Sequence, residues 1–173
     1  MNVSKKIIGF TFISLLFMIG CGEKNSLDIW EFRQVGTDKW YPAKIPGTIH
    51  TDLLSAGLIP DPFIGTNEEK VQWIEYKDWE YRTTINASNK ILESTQINLT
   101  FKGLDTYADI ILNDSLIMTT DNMHIPWSKN IKNILKKGVN ELRVYFHSPI
   151  KIGQKKLNEH PQLVPTSNEP KPI

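Results

Sequence analysis

Four histidines, His50, His124, His147 and His160, are the side chains best suited to proton transfer or metal binding in this sequence. No two of them stand at the short spacings that bring imidazoles onto one metal, and the single cysteine, Cys21, lies far from all four in the chain. His50 and Asp52 form one close pair of ligand type. The residues around them read as helix, however, where side chains two apart diverge. Neither a metal nor another cofactor is expected, and no serine has the glycine-flanked setting of a nucleophile elbow. The remaining chemistry is aromatic. Trp73, Trp79 and Trp127 carry rings that can stack on sugar faces, or fill a core. Trp79 opens an alternating run and is expected inside. Trp127 follows Pro126 in a loop and is kept as the candidate substrate-binding residue.

Cys21 suggests a different chemistry. It follows an uncharged apolar run from Ile7 to Ile19, which Lys5 and Lys6 precede, the layout of an export signal. The run is too short to span a bilayer, which takes about 20 apolar residues. Met18-Ile19-Gly20-Cys21 resembles the cleavage box of bacterial lipoproteins. That resemblance implies removal of residues 1–20, lipidation of Cys21, and an exported protein tethered to a membrane at the periplasmic face or cell surface.

Removing 20 of 173 residues leaves 153, enough for one domain. The full chain has 20 Lys+Arg against 19 Asp+Glu; without Lys5 and Lys6 the balance is 18 minus 19, or −1. Nucleic acid is therefore not an expected partner. No second cysteine exists for a disulfide, so a hydrophobic core must hold the fold. Asn86, Asn98 and Asn113 begin glycosylation sequons, whose use a bacterial export signal argues against.

The elements that must position these residues are mostly short strands. Residues 21–27 read as a tether. WEFRQV (30–35), WEYRTTI (79–85), QINLTFK (96–102), ADIIL (108–112), LIMT (116–119) and ELRVYFH (141–147) are β-branched or aromatic-rich runs of strand length. Asn113-Asp114 marks a hairpin. WYPAKI (40–45) suits an edge strand because Pro42 cannot donate a ladder bond. Thr48 is placed to cap a short helix over IHTDLLSA that stops at Gly57, and 131–135 has the pattern for one or two helical turns. Gly103 permits a tight exit from its strand, with Asp105 or Thr106 capping the turn that follows. Residues 150–173 hold four prolines and read as a Pro-containing tail. The predicted fold is all-β, a sandwich over residues 28–149 with one or two short helices.

The order KIPGTIHTDLLSAGLIPDPFIGTNE, WIEYKDWEYRTTI, FKGLDTYADIILND, DNMHIPW and KKGVNELRVYFHSP resembles the N-terminal sugar-binding domain of β-mannosidases in glycoside hydrolase family 2. The resemblance implies a jelly-roll sandwich of the galactose-binding-like type. It also implies an enzyme whose two catalytic glutamates sit on a separate (β/α)₈ barrel and carry out retaining hydrolysis of terminal β-mannosides. Such a barrel takes about 250 residues, and 173 minus 149 leaves 24 after Pro149. Asn67-Glu68 has the Asn-Glu form that precedes the family's acid/base position, but lies outside any barrel and is expected to be structural. No catalytic residue is therefore expected here. The expected partners are a catalytic domain and β-mannoside-containing glycans. The expectation is a truncated or split member of that family; a free-standing carbohydrate-binding or accessory lipoprotein is the alternative.

Overall fold

The structure, a computed structural model, describes Leu27 and residues 29–159. Cys21, the apolar run before it, most of the tether and His160 lie outside the described residues. Among the described residues there are eight strands: β1 Trp30–Gln34, β2 Tyr41–Ala43, β3 Trp79–Ala87, β4 Asn98–Phe101, β5 Ala108–Leu112, β6 Ser115–Thr120, β7 Trp127–Asn130 and β8 Gly138–Phe146. Six make an antiparallel sheet in the order β2-β1-β3-β8-β5-β6, and β4 pairs with β7 in a second, two-stranded sheet. Pro42 lies on the edge strand, where its missing N–H costs no ladder bond.

Period-two alternation sends one row of each long strand inward. Phe32, Tyr81, Val144 and Ile110 stand opposite one another across β1, β3, β8 and β5, and all four are buried. Phe32 gathers Tyr41, Trp79 and Tyr81 around its ring at centroid distances of 5.7, 6.4 and 5.9 Å. Leu99 and Phe101 of the small sheet, together with Ile131 and Leu135, pack against the same core.

The hairpin at Asn113-Asp114 is confirmed, with both residues at positive φ (50° and 64°), as a two-residue turn of matching twist requires. The capped helix is confirmed too. In α1 (Ile49–Ser55) the Thr48 hydroxyl accepts from the Thr51 amide while Thr51 returns a bond to the Thr48 amide. Gly57 follows with φ +68° and closes the helix. Upstream, a Cβ on Gly47 would stand 2.2 Å from the Lys44 carbonyl oxygen, so only glycine fits that approach.

Several elements differ from the sequence expectation. There are more helices than one or two: α2 Asn67–Val71, a 3₁₀ helix over Gln72–Tyr76, α3 Asn89–Leu92 and α4 Pro149–Glu159. The first three are four or five residues long, too short to show a helical period. Residues 131–135 make one hydrogen-bonded turn, with the Ile134 and Leu135 amides both donating to the Ile131 carbonyl. Strand β7 was not expected, because its residues WSKN carry no apolar alternation. Residues 150–159, read from sequence with the Pro-containing tail, are helical. Pro149 opens α4 at a position where proline is favoured, and the four prolines of the tail lie outside the described residues.

Candidate functional site

The outward row of the six-stranded sheet carries the titratable groups. Arg33, Glu80, Tyr145, Asp109 and Thr119 lie opposite one another across β1, β3, β8, β5 and β6. Glu80 is nearly enclosed and binds two guanidinium groups, Arg33 at 2.6 Å and Arg143 at 3.3 Å. Arg143 reaches on to Asp114 at 2.7 Å and Glu141 at 3.0 Å. Arg33 and Arg82 clasp the Trp40 ring from 4.4 and 4.0 Å.

Further along the same face, α4 folds back beside β5 and β6. It encloses an open cleft of about 440 Å³ lined by Tyr107, Asp109, Asp121, His147, Lys155 and Lys156 among others. His147 Nε2 lies 2.8 Å from Asp109 Oδ2, and the Thr119 hydroxyl donates to Asp109 Oδ1 at 2.7 Å. Burial pushes the Asp109 carboxyl up, but the Thr119 hydroxyl and His147 outweigh it and hold the group below the usual range. Lys156 Nζ stands 4.5 Å over the Tyr107 ring and donates to its hydroxyl.

The start of α4 is pinned to the sheet by Asp78. Its carboxylate accepts from the Ser148 amide at 2.8 Å and the Tyr145 hydroxyl at 3.1 Å, with Lys151 at 3.6 Å. The buried Ser148 caps the helix, accepting from the Lys151 amide while its own hydroxyl donates to Glu75 O at 2.6 Å. Burial raises the Asp78 pKa, and these donors, with the Lys151 and His147 charges, bring it net below its ordinary value.

A glycosidic general acid needs a raised pKa so that it holds its proton near neutrality. Asp78 and Asp109 are shifted the other way, and every oxygen of both is already hydrogen-bonded within the domain. The Thr119 hydroxyl donates to Asp109 Oδ1 while His147 Nε2 lies against Oδ2, so these side chains satisfy one another. This face carries a network of ion pairs and hydrogen bonds made within the domain.

The residues singled out from sequence are dispersed. Trp127 opens β7 opposite Phe101, half-buried, and its Nε1 donates to the Asn122 carbonyl at 2.9 Å, closing its own loop. Trp79 is buried in the core and donates to Ile74 O. Trp73 rests beside it, ring centroids 6.0 Å apart, and is partly exposed. His50 is exposed while Asp52 turns inward, so the two do not form a ligand pair. Asn67 sits in α2 and donates to the Asp61 carbonyl. In the 103–106 segment Leu104 is buried and the Thr106 hydroxyl donates to the Asp105 carboxylate. Among the described residues no cluster of three or more His, Cys, Asp or Glu side chains is arranged to hold a metal. The Asp109–His147 pair was not foreseen. Its members are 38 positions apart, and only the adjacency of β5 and β8 brings them together.

Comparison with known proteins identifies the domain. Residues 30–173 match the family model described as glycosyl hydrolase 2 galactose-binding domain-like. The β-mannosidase B of Thermothelomyces thermophilus is 41% identical over 135 residues, covering 76% of this chain and 16% of that protein. The Mus musculus β-mannosidase is 33% identical over 152 residues, covering 86% and 17%. The crystal structure of the β-D-mannosidase from Dictyoglomus thermophilum superposes with a TM-score of 0.80 at 42% identity, over 83% of this chain and 18% of that one. The chain thus spans about a sixth of the length of the relatives it matches. It belongs to the glycosyl hydrolase 2 galactose-binding domain-like family, and within it corresponds to the N-terminal domain of β-mannosidase-like proteins.

Proposed function

We propose that this domain is the non-catalytic module of a β-mannosidase-like glycoside hydrolase. It frames an active site supplied by a separate catalytic part that removes terminal β-mannosides from glycans with retention of configuration. The observation that carries this reading is the 41–42% identity to two β-mannosidases over most of the chain. The ionised, fully bonded state of Asp78 and Asp109 supports it, since neither is poised as an acid. We read the two sheets as a jelly-roll sandwich. In the test, the purified chain is incubated with nitrophenyl β-mannoside and is expected to release no nitrophenol above a blank. Turnover that survives repurification would overturn the module reading.

The N-terminal sequence supports a further part of the proposal, that the protein is exported and anchored through lipid on Cys21. An acyl chain contributes about 0.8 kcal/mol per buried CH₂, and more than one chain is needed for stable attachment. Cys21→Ser is expected to move the protein from the detergent phase to the aqueous phase in cloud-point partition of bacterial membranes. Unchanged partition would exclude the anchor.

A further inference from the structure

The connection from β2 to β3 is more apolar on its surface than a solvated connection needs to be. Among the described residues Ile45, Leu54, Leu58, Phe63, Ile64 and Trp73 are all exposed large hydrophobics, and all belong to it. Phe63 is 98% exposed and Ile64 64%. The outward sheet face, by contrast, is covered by the Arg33–Glu80–Arg143 and Arg82–Glu31 ion pairs.

The corner bearing Phe63 is held by its own backbone. Asp61 Oδ1 accepts from the Phe63 amide at 3.0 Å, and the Ile64 amide donates to Asp61 O at 3.2 Å. Asn67 Nδ2 donates to the same carbonyl at 2.9 Å, and Pro60 and Pro62 restrict φ on either side of Asp61. An exposed aromatic side chain on so constrained a turn has little backbone entropy left to lose on docking. Such side chains serve as interface anchors.

We infer that Phe63 and Ile64 form the contact by which this domain docks on an apolar surface of the catalytic part of a β-mannosidase-like enzyme. The inference rests on the proposed function. The polar groups of the corner argue against a sugar as occupant, because Asp61 and Asn67 are engaged within the loop, Asn67 Oδ1 also accepting from Lys70 at 2.9 Å. Glu68 and Glu69, next along in α2, disfavour an anionic bilayer. The relatives supply a covering surface in the same polypeptide, since more than four-fifths of their length lies outside the part matched here.

The test grafts residues 29–159 into the D. thermophilum β-mannosidase in place of the region they match. Three grafts are compared: the native sequence, Phe63→Asp with Ile64→Asp, and Val139→Asp, a control residue 71% exposed on β8. The native graft should hydrolyse nitrophenyl β-mannoside. The double variant should lose activity on heating about tenfold faster or more, with the control unchanged. The isolated 173-residue chain should unfold at the same urea concentration in all three forms, which excludes misfolding as the cause. A double variant as durable as the native graft would overturn the docking contact and leave the module reading intact. An inactive native graft whose domain is folded would overturn the module reading itself. If the double substitution instead abolishes dimers of the isolated chain, or its binding to phosphatidylglycerol vesicles, while sparing the graft, the occupant assigned here is wrong.

Discussion

Asn140→Ala should destabilise the domain by about 4 kcal/mol, from the loss of one polar side chain at the start of β8. Asn140 is fully buried (0% exposed) and every valence of its amide is used. Its Oδ1 accepts from Asn113 Nδ2 and from the Lys136 amide, both at 2.8 Å. Its Nδ2 donates to the carbonyls of Lys136 at 2.7 Å, Gly138 at 2.9 Å and Ile85 at 3.3 Å. One side chain therefore joins the β5–β6 hairpin, the 131–138 connection and strand β3. Alanine would leave two donors and two close acceptors without their partner, each costing about 1–3 kcal/mol when buried, with water entering the cavity to recover part. Asn140→Asp separates the two halves of the network. A carboxylate keeps the acceptor side but faces the Lys136 and Gly138 carbonyls without a donor. This variant should be markedly unstable near neutral pH and recover as acid protonates the new carboxyl. Urea denaturation followed by tryptophan fluorescence measures both effects. A loss below about 1 kcal/mol for Asn140→Ala would show that the connection holds without the network.

What the sequence made legible, and what it did not, divides by the range of the interaction. The cap at Thr48, the stop at Gly57, the positive-φ pair Asn113-Asp114 and the edge position of Pro42 each follow from conformational preferences of residues adjacent in the chain. The alternation in WEYRTTI placed Trp79 in the core for the same reason. Asn140 carries no such mark. Its partners come from three places in the chain, and the strand-like run ELRVYFH begins only at Glu141. Asp109 and His147, or Glu80 with Arg33 and Arg143, are likewise set by strand order and register. Strand β7 has no apolar rhythm of its own and exists because β4 supplies its ladder. The family resemblance bridged that gap for the fold as a whole, because motif order reports topology that local periodicity does not.

Asp52 and Tyr81 provide the second test, at the place where α1 is locked to the sheet. Asp52 is 3% exposed; its Oδ1 accepts from the Lys44 amide and its Oδ2 from the Tyr81 hydroxyl, both at 3.0 Å. Asp52→Ala should cost about 3 kcal/mol, since it leaves two buried donors unpaired; Tyr81→Phe, which removes one donor and keeps the ring, should cost about 1.5 kcal/mol. The double variant should cost less than the sum, because the shared bond can be lost only once. The pair also has a signature in pH. Burial first, then the Asp52 charge and the bond to it, raises the Tyr81 pKa above its ordinary value. A raised folded-state pKa contributes stability that is fully present below the unfolded value of about 10, and that stability is lost as pH rises above it. Native protein should therefore weaken between pH 10 and 11 more steeply than Tyr81→Phe, so that the penalty of the substitution shrinks over that interval. Tyr145, raised by burial and by Asp78, Glu80 and Asp109, contributes in the same sense to both proteins and cancels from the difference. Parallel pH profiles would mean that the hydroxyl is not held by Asp52, and that α1 relies on its apolar face and the Asp52–Lys44 bond to keep the β2–β3 connection, with Phe63 at its corner, against the sheet.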